Sequence, residues 1–176
     1  GCWLDDKRFA GVPLPDPYDD MTVPQMYRAL NCSPRIYEFN SCFLCIEDPR
    51  VTRSERRLSE CDTEYTIHTP VGVQVSVRRT TSSSHRRIWI EREISSEKEM
   101  RVAIWRAEHT AWAWDQGRYD ELCTKWGTLG APTMYMPRVN IQDLYINSMG
   151  VESAIYALND YPDTVEVYFK ALDGSH

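Results

Sequence analysis

At 176 residues, 42% of them hydrophobic, the chain is long enough for a single domain with a real core, which sets aside a disordered or fibrous protein. A formal charge of -6 and a pI near 5.2 argue against a phosphate-tracking surface, and the one basic cluster, Arg78, Arg79, Arg86 and Arg87 around His85, reads as a solvated hairpin end. No run of about 18 apolar residues is present, so neither nucleic acid nor a membrane is expected as a partner.

The opening Gly1-Cys2-Trp3-Leu4 has no starting Met and no charged-then-apolar leader, and the closing Asp173-Gly174-Ser175-His176 follows directly on a helical pattern. Both ends read as the interior of a longer chain. Residues 1–20, rich in Asp, Pro and Gly, read as loop. Thr22 with Gln25 forms a capping box for a short helix carrying Met26, Tyr27 and Leu30, ending near Asn31 to Pro34. From Arg35 to Glu47 the pattern is strand-like, and Asp48 to Asp62 is charged enough to read as an exposed connection.

Alternation is clearest in the next stretch. Tyr65 and Ile67, then Val71, Val73, Val75 and Val77, then Ile88, Ile90 and Ile94 predict three strands of an antiparallel meander, divided by the Thr69-Pro70-Val71-Gly72 turn and a loop over Thr80 to Ser84. Its apolar face must pack on something. Ser96 and Glu99 make a second capping box, for a helix burying Met100, Ala103, Ile104 and Ala107. Another helix starts at Asp115, buries Tyr119, Leu122 and Trp126, and stops at Gly127; Ala111 to Trp114 between them is a linker or a strand. A short strand follows at Ala131 to Met134. Asn140 then caps a helical piece with Ile141, Leu144 and Tyr145 on one stripe, Gly150 ends it, and Pro162 opens a last helix carrying Val165, Tyr168, Phe169 and Leu172.

Six cysteines are too sparse here for a disulfide-dense scaffold, so a reducing, cytoplasmic location is the default. Cys42 and Cys45 form a single Cys-x-x-Cys with no second pair to complete a zinc site, and they lie in an apolar strand-like run; a structural role outweighs a metal one. Strands alternating with amphipathic helices suggest a parallel α/β layout decorated by the meander. A closed (β/α)8 barrel takes about 250 residues, so this chain supplies about half of one.

Tyr65-Thr-Ile-His-Thr-Pro-Val-Gly-Val-Gln-Val with the helix after Ile90-Glu-Arg-Glu-Ile is followed by Gly130-Ala-Pro-Thr, Ile141-Gln-Asp-Leu-Tyr, Met149-Gly-Val-Glu and Tyr161-Pro-Asp-Thr-Val-Glu. In this order the segments resemble those of the uroporphyrinogen decarboxylase superfamily, especially its methyltransferase-like branch. The resemblance covers roughly residues 20 to 175 and rests on the order of its motifs. It implies part of a (β/α)8 TIM-type barrel with an antiparallel β-meander insertion, residues 1–176 being one domain and the N-terminal half of the barrel. The activity implied is methyl transfer involving a corrinoid or a methylated small molecule, or alternatively decarboxylation of a tetrapyrrole. A non-catalytic interaction module is the reading from another class. The arginine-rich decarboxylase motif and the zinc ligands of the methyltransferases are both missing from this chain. No cofactor is therefore expected within it, zinc and a corrinoid being possible in the full-length protein. Expected partners are a small-molecule substrate and the remainder of the barrel or a second copy of the chain.

On the barrel expectation, residues after the strand at Ala131 to Met134 stand at the mouth, where Tyr135 could donate a hydrogen bond to substrate and Arg138 could clamp a carboxylate. Rim packing and a surface charge are the plainer alternatives. His68 could serve as acid or base near neutral pH, although its place on the polar side of the meander favours a solvated role. Trp3 and Trp114 could line a cavity, but anchoring a core or an interface is the commoner use of such residues.

Overall fold

A computed structural model describes residues 7, 9–80, 87–135 and 140–175. Cys2, Trp3, the Thr81 to Ser84 part of the predicted loop, His85, Arg86, Arg138 and His176 lie outside the described residues. The chain divides into two compact units, Gly1–Leu44 with Ala113–Met136 and Cys45–Trp112 with Pro137–His176.

In the first unit the expected capping box forms. Thr22 Oγ1 accepts from the Gln25 amide, and the Gln25 side chain accepts from the Thr22 amide, starting α1 (Val23–Ala29). The strand expected from Arg35 to Glu47 is interrupted. Only β1 (Arg35–Ile36) and β2 (Phe43–Glu47) are extended, and Tyr37–Cys42 winds into a 3-10 turn. The turn is held by its side chains: Phe39 is buried, while Glu38 takes both the Lys125 ammonium at 2.8 Å and the Trp126 indole N–H at 2.9 Å. Those last two residues sit on α3 (Gln116–Trp126), capped by Asp115 as expected and stopped at Gly127 with φ +59°. Ile36, Phe39, Cys42, Leu122 and Trp126 form the core of this unit. β8 is shorter than expected, only Ala131–Pro132, and pairs in parallel with β1.

The second unit is built on a four-stranded antiparallel sheet in the order β3 (Thr52–Arg57), β4 (Asp62–Thr69), β5 (Gly72–Thr80), β6 (Arg87–Glu91). The three expected strands are present. The charged interval before them is not a bare connection but contributes edge strand β3, whose charges are matched across strands, as in the Arg56 guanidinium on Glu64 at 2.9 Å. α2 (Glu97–Glu108) starts at the Ser96 cap and buries Met100, Val102, Ala103, Ile104 and Ala107. After β7 (Thr110–Trp114), α3 and β8, the chain forms α4 (Ile141–Asp143), a π turn (Leu144–Ser148), α5 (Val151–Asp160) and α6 (Pro162–Gly174). α6 packs along α2, and Ile94, Met100, Leu144, Met149, Ala154, Val165 and Tyr168 close the core.

Two expectations are corrected. The (β/α)8 half-barrel is not formed: among the described residues the only parallel pairing is the two-residue β1–β8 match, and the largest sheet is antiparallel. The order of elements along a chain does not fix which strands pair, and here the hairpin connections of β3 to β6 consumed the extended segments. Beside the turn at Gly72 the meander also buries the face opposite Val73, while Val77, farther along the valine face, is buried as well. Gln74 is 1% exposed and Ser76 is equally buried, whereas Val73 on the other face is 44% exposed. Gly72 explains the choice, since a Cβ there would lie 2.7 Å from a methyl of Val102 on α2. The close approach of helix to strand is on the Gly72, Gln74, Ser76 side.

Candidate functional site

Gln74 is the polar hub of the second unit. Its side-chain N–H groups reach the carbonyls of Glu93 and Glu99, each at 3.3 Å, and its Oε1 accepts from Arg106 Nη1 at 2.7 Å. Arg106, on the inner side of α2, also meets Glu93 at 3.3 Å and Glu47 at 3.5 Å, and its Nε is buried with no hydrogen-bond partner. Glu47 is shared with the Arg53 guanidinium, which is the chief reason its carboxyl is held below the usual carboxylate range.

Glu47, Glu93 and Arg106 line a cavity of about 230 Å3 together with Ala103, Ala107, Trp112, Ser148 and Tyr168. Ser148 hydroxyl donates to Asp143 at 2.9 Å and lies 3.4 Å from the Tyr168 hydroxyl. Burial pushes the Tyr168 phenol up, so it stays a neutral hydrogen-bonding group at ordinary pH. Cys45 also lines the cavity, its thiol pushed up by partial burial and by the neighbouring Glu47 carboxylate. The lining thus presents two carboxylates against one guanidinium, with Arg53 behind Glu47 offsetting part of that excess. The arrangement favours a small cation or a hydrogen-bond donor over an anion.

The sequence candidates lie elsewhere. Tyr135 belongs to the first unit, 57% exposed, with its ring stacked on Tyr37 at 5.6 Å and its amide bonded to Asn40. His68 belongs to the second unit, exposed on β4 across from Val73, and does not line the cavity. Arg138 is outside the described residues. Trp114 packs against Phe43 and Tyr119, an anchoring role. Cys42 is fully buried in the first unit, where burial raises its thiol, while Cys45 belongs to the second. Gln74, Glu47, Glu93 and Arg106 were passed over because each is an ordinary polar residue at a position where alternation or a helix face suggests solvent. The available signal was the Gly72 to Ser76 run, in which small and uncharged polar residues alternate with valine.

Among the described residues no group of three or more His, Cys, Asp or Glu side chains is arranged to hold a metal ion, and no helix is long and apolar enough to cross a membrane. The resemblance puts the zinc ligands outside this chain, and the Arg106 cavity is too small for a corrinoid. No protein-family model, curated protein or solved structure matches the chain.

Proposed function

We propose that this chain serves methyl transfer, as a methyltransferase-like relative of the uroporphyrinogen decarboxylase superfamily, and that the Arg106 cavity holds a small methylated ammonium compound. The observation that carries the reading is the cavity's charge: Glu47 and Glu93 face one guanidinium beside a Trp112 wall, a setting for a cation with methyl groups. The segments that resemble the superfamily lend support. The Thr69 to Gly72 turn approaches α2, Gly150 approaches Arg92, and α6 packs along α2, so these motifs, though not Gly130-Ala-Pro-Thr of the first unit, meet in the second unit. The barrel takes no part in this reading.

Neither the volume nor the charge of the cavity suits a carboxylate-rich tetrapyrrole, which disfavours the decarboxylase alternative. The interaction-module alternative has one observation in its favour, the exposure of Val73, Ile88 and Ile90 on the sheet. Ligand-observed NMR of the purified protein with tetramethylammonium, acetate and a uroporphyrin separates these readings. Saturation transfer to tetramethylammonium alone supports the proposal. Transfer to the porphyrin, or to none of the three, overturns it.

A further inference from the structure

The arginines of β3 to β5 differ in one respect. Arg53, Arg56 and Arg79 each have a carboxylate, on Glu47, Glu64 and Asp62, and Arg57 donates to the carbonyls of Ser59 and Glu60. Among the described residues Arg78 has neither. Its guanidinium carbon lies 4.0 Å from the centre of the Trp89 ring and 5.1 Å from that of Tyr65, and its Nε is buried without a hydrogen-bond partner. Among the described residues no carboxylate lies within ion-pair distance of it. A second guanidinium, that of Arg92, stands 5.8 Å from the same indole and donates to the Ile146 carbonyl. Two cations thus share one aromatic ring with no anion between them.

The Trp89 contact holds the guanidinium over the ring, and with Nε buried the two terminal nitrogens are the donors left to pair with a planar carboxylate through two parallel hydrogen bonds. We infer that Arg78, held against Trp89 and Tyr65, is a binding site for the carboxylate of a small aromatic or aliphatic acid. A monoanion suits the site better than a phosphate dianion. Glu55 stands across from Tyr65 in the strand register, Glu91 is two residues from Trp89, and the chain carries a net charge of -6. This site is distinct from the Arg106 cavity, shares no residue with it, and stands without the methyl-transfer reading.

Sodium benzoate is a suitable probe, titrated by calorimetry at low salt, with inorganic phosphate as the competing anion. Wild-type protein is expected to bind benzoate in the millimolar range and phosphate more weakly. Arg78→Lys, which keeps the charge and loses the fork, and Arg78→Gln are expected to weaken benzoate binding at least 10-fold, with melting temperature monitored in parallel. Should both variants fail to fold, Glu55→Gln, which leaves the stack intact, is expected to tighten benzoate binding about 2-fold. Absence of saturable benzoate binding to the wild type, equal binding by the folded Arg78 variants, an unchanged affinity in Glu55→Gln, or preference for phosphate each overturns the assignment. So does loss of benzoate binding in Arg106→Gln with retention in Arg78→Gln, which would put the acid in the cavity.

Discussion

Replacing Gln74 by methionine removes the hub while nearly keeping its shape. Three hydrogen bonds go: two long ones at 3.3 Å to the carbonyls of Glu93 and Glu99, and a short one at 2.7 Å from Arg106. A neutral bond contributes about 0.5–1.5 kcal/mol and one to a charged group about 1.5–3 kcal/mol. The long pair belongs at the low end, about 1 kcal/mol together, and the charged bond adds about 2 kcal/mol, for a total near 3 kcal/mol. Arg106 keeps its contacts to Glu93 and Glu47 at 3.3 and 3.5 Å, which prevents a larger loss. In a chain of this length each kcal/mol lowers the melting temperature by about 2–4 °C, so calorimetry should show a fall of about 6–12 °C. A change under about 2 °C would refute the claim that Gln74 organises the unit, and a fall above about 20 °C would mean that Arg106 had lost its remaining partners as well.

Further predictions concern both units. Gly130 has φ +76°, and a Cβ there would lie 2.4 Å from the Pro34 carbonyl oxygen, so Gly130→Ala should lower the stability of the first unit by about 2–4 kcal/mol in urea unfolding. Leu144 is fully buried in the second core, and Leu144→Ala should cost about 2–5 kcal/mol by the same measurement. The carboxyl of Glu47 is depressed when folded, so its contribution is present above the ordinary carboxylate range and lost as pH falls through the lowered folded value. Urea midpoints measured from pH 7 down to pH 3 should therefore fall less steeply in Glu47→Gln than in the wild type.

What was legible in the sequence was local. Thr22, Ser96, Asp115 and Asn140 cap helices where their spacing to the following turn requires, because an N-cap is decided within four residues. Alternation marked two faces within β4 and within β5 but not how they match across the hairpin: the register sets Ile67 against Gln74 and His68 against Val73, so Tyr65 and Ile67 lie on the face opposite the valines. Which face is covered beside the turn is settled by the absence of a side chain at Gly72, which lets α2 approach Gln74 rather than Val73. Strand β3 is not legible in the sequence because Thr52 to Arg57 offers no apolar alternation at all; it is held by the ladder to β4 and by cross-strand ion pairs. Element order suggests a parallel layout and the superfamily resemblance a barrel, but order is blind to pairing: β1 pairs with β8 over only two residues, while the hairpins take the extended segments of β3 to β6. The site shared this fate, since Glu47, Gln74, Glu93 and Arg106 come from four separate elements and connections and carry no common spacing.

The most direct test of the functional account is the charge dependence of tetramethylammonium binding, measured by calorimetry on wild type, Glu93→Gln and Arg106→Gln. Removing a carboxylate from the lining should weaken binding about 10-fold, near 1.4 kcal/mol, and removing the guanidinium should strengthen it. Binding that is indifferent to both changes, or that shifts in the opposite sense, would contradict the assignment of the Arg106 cavity as a cation site.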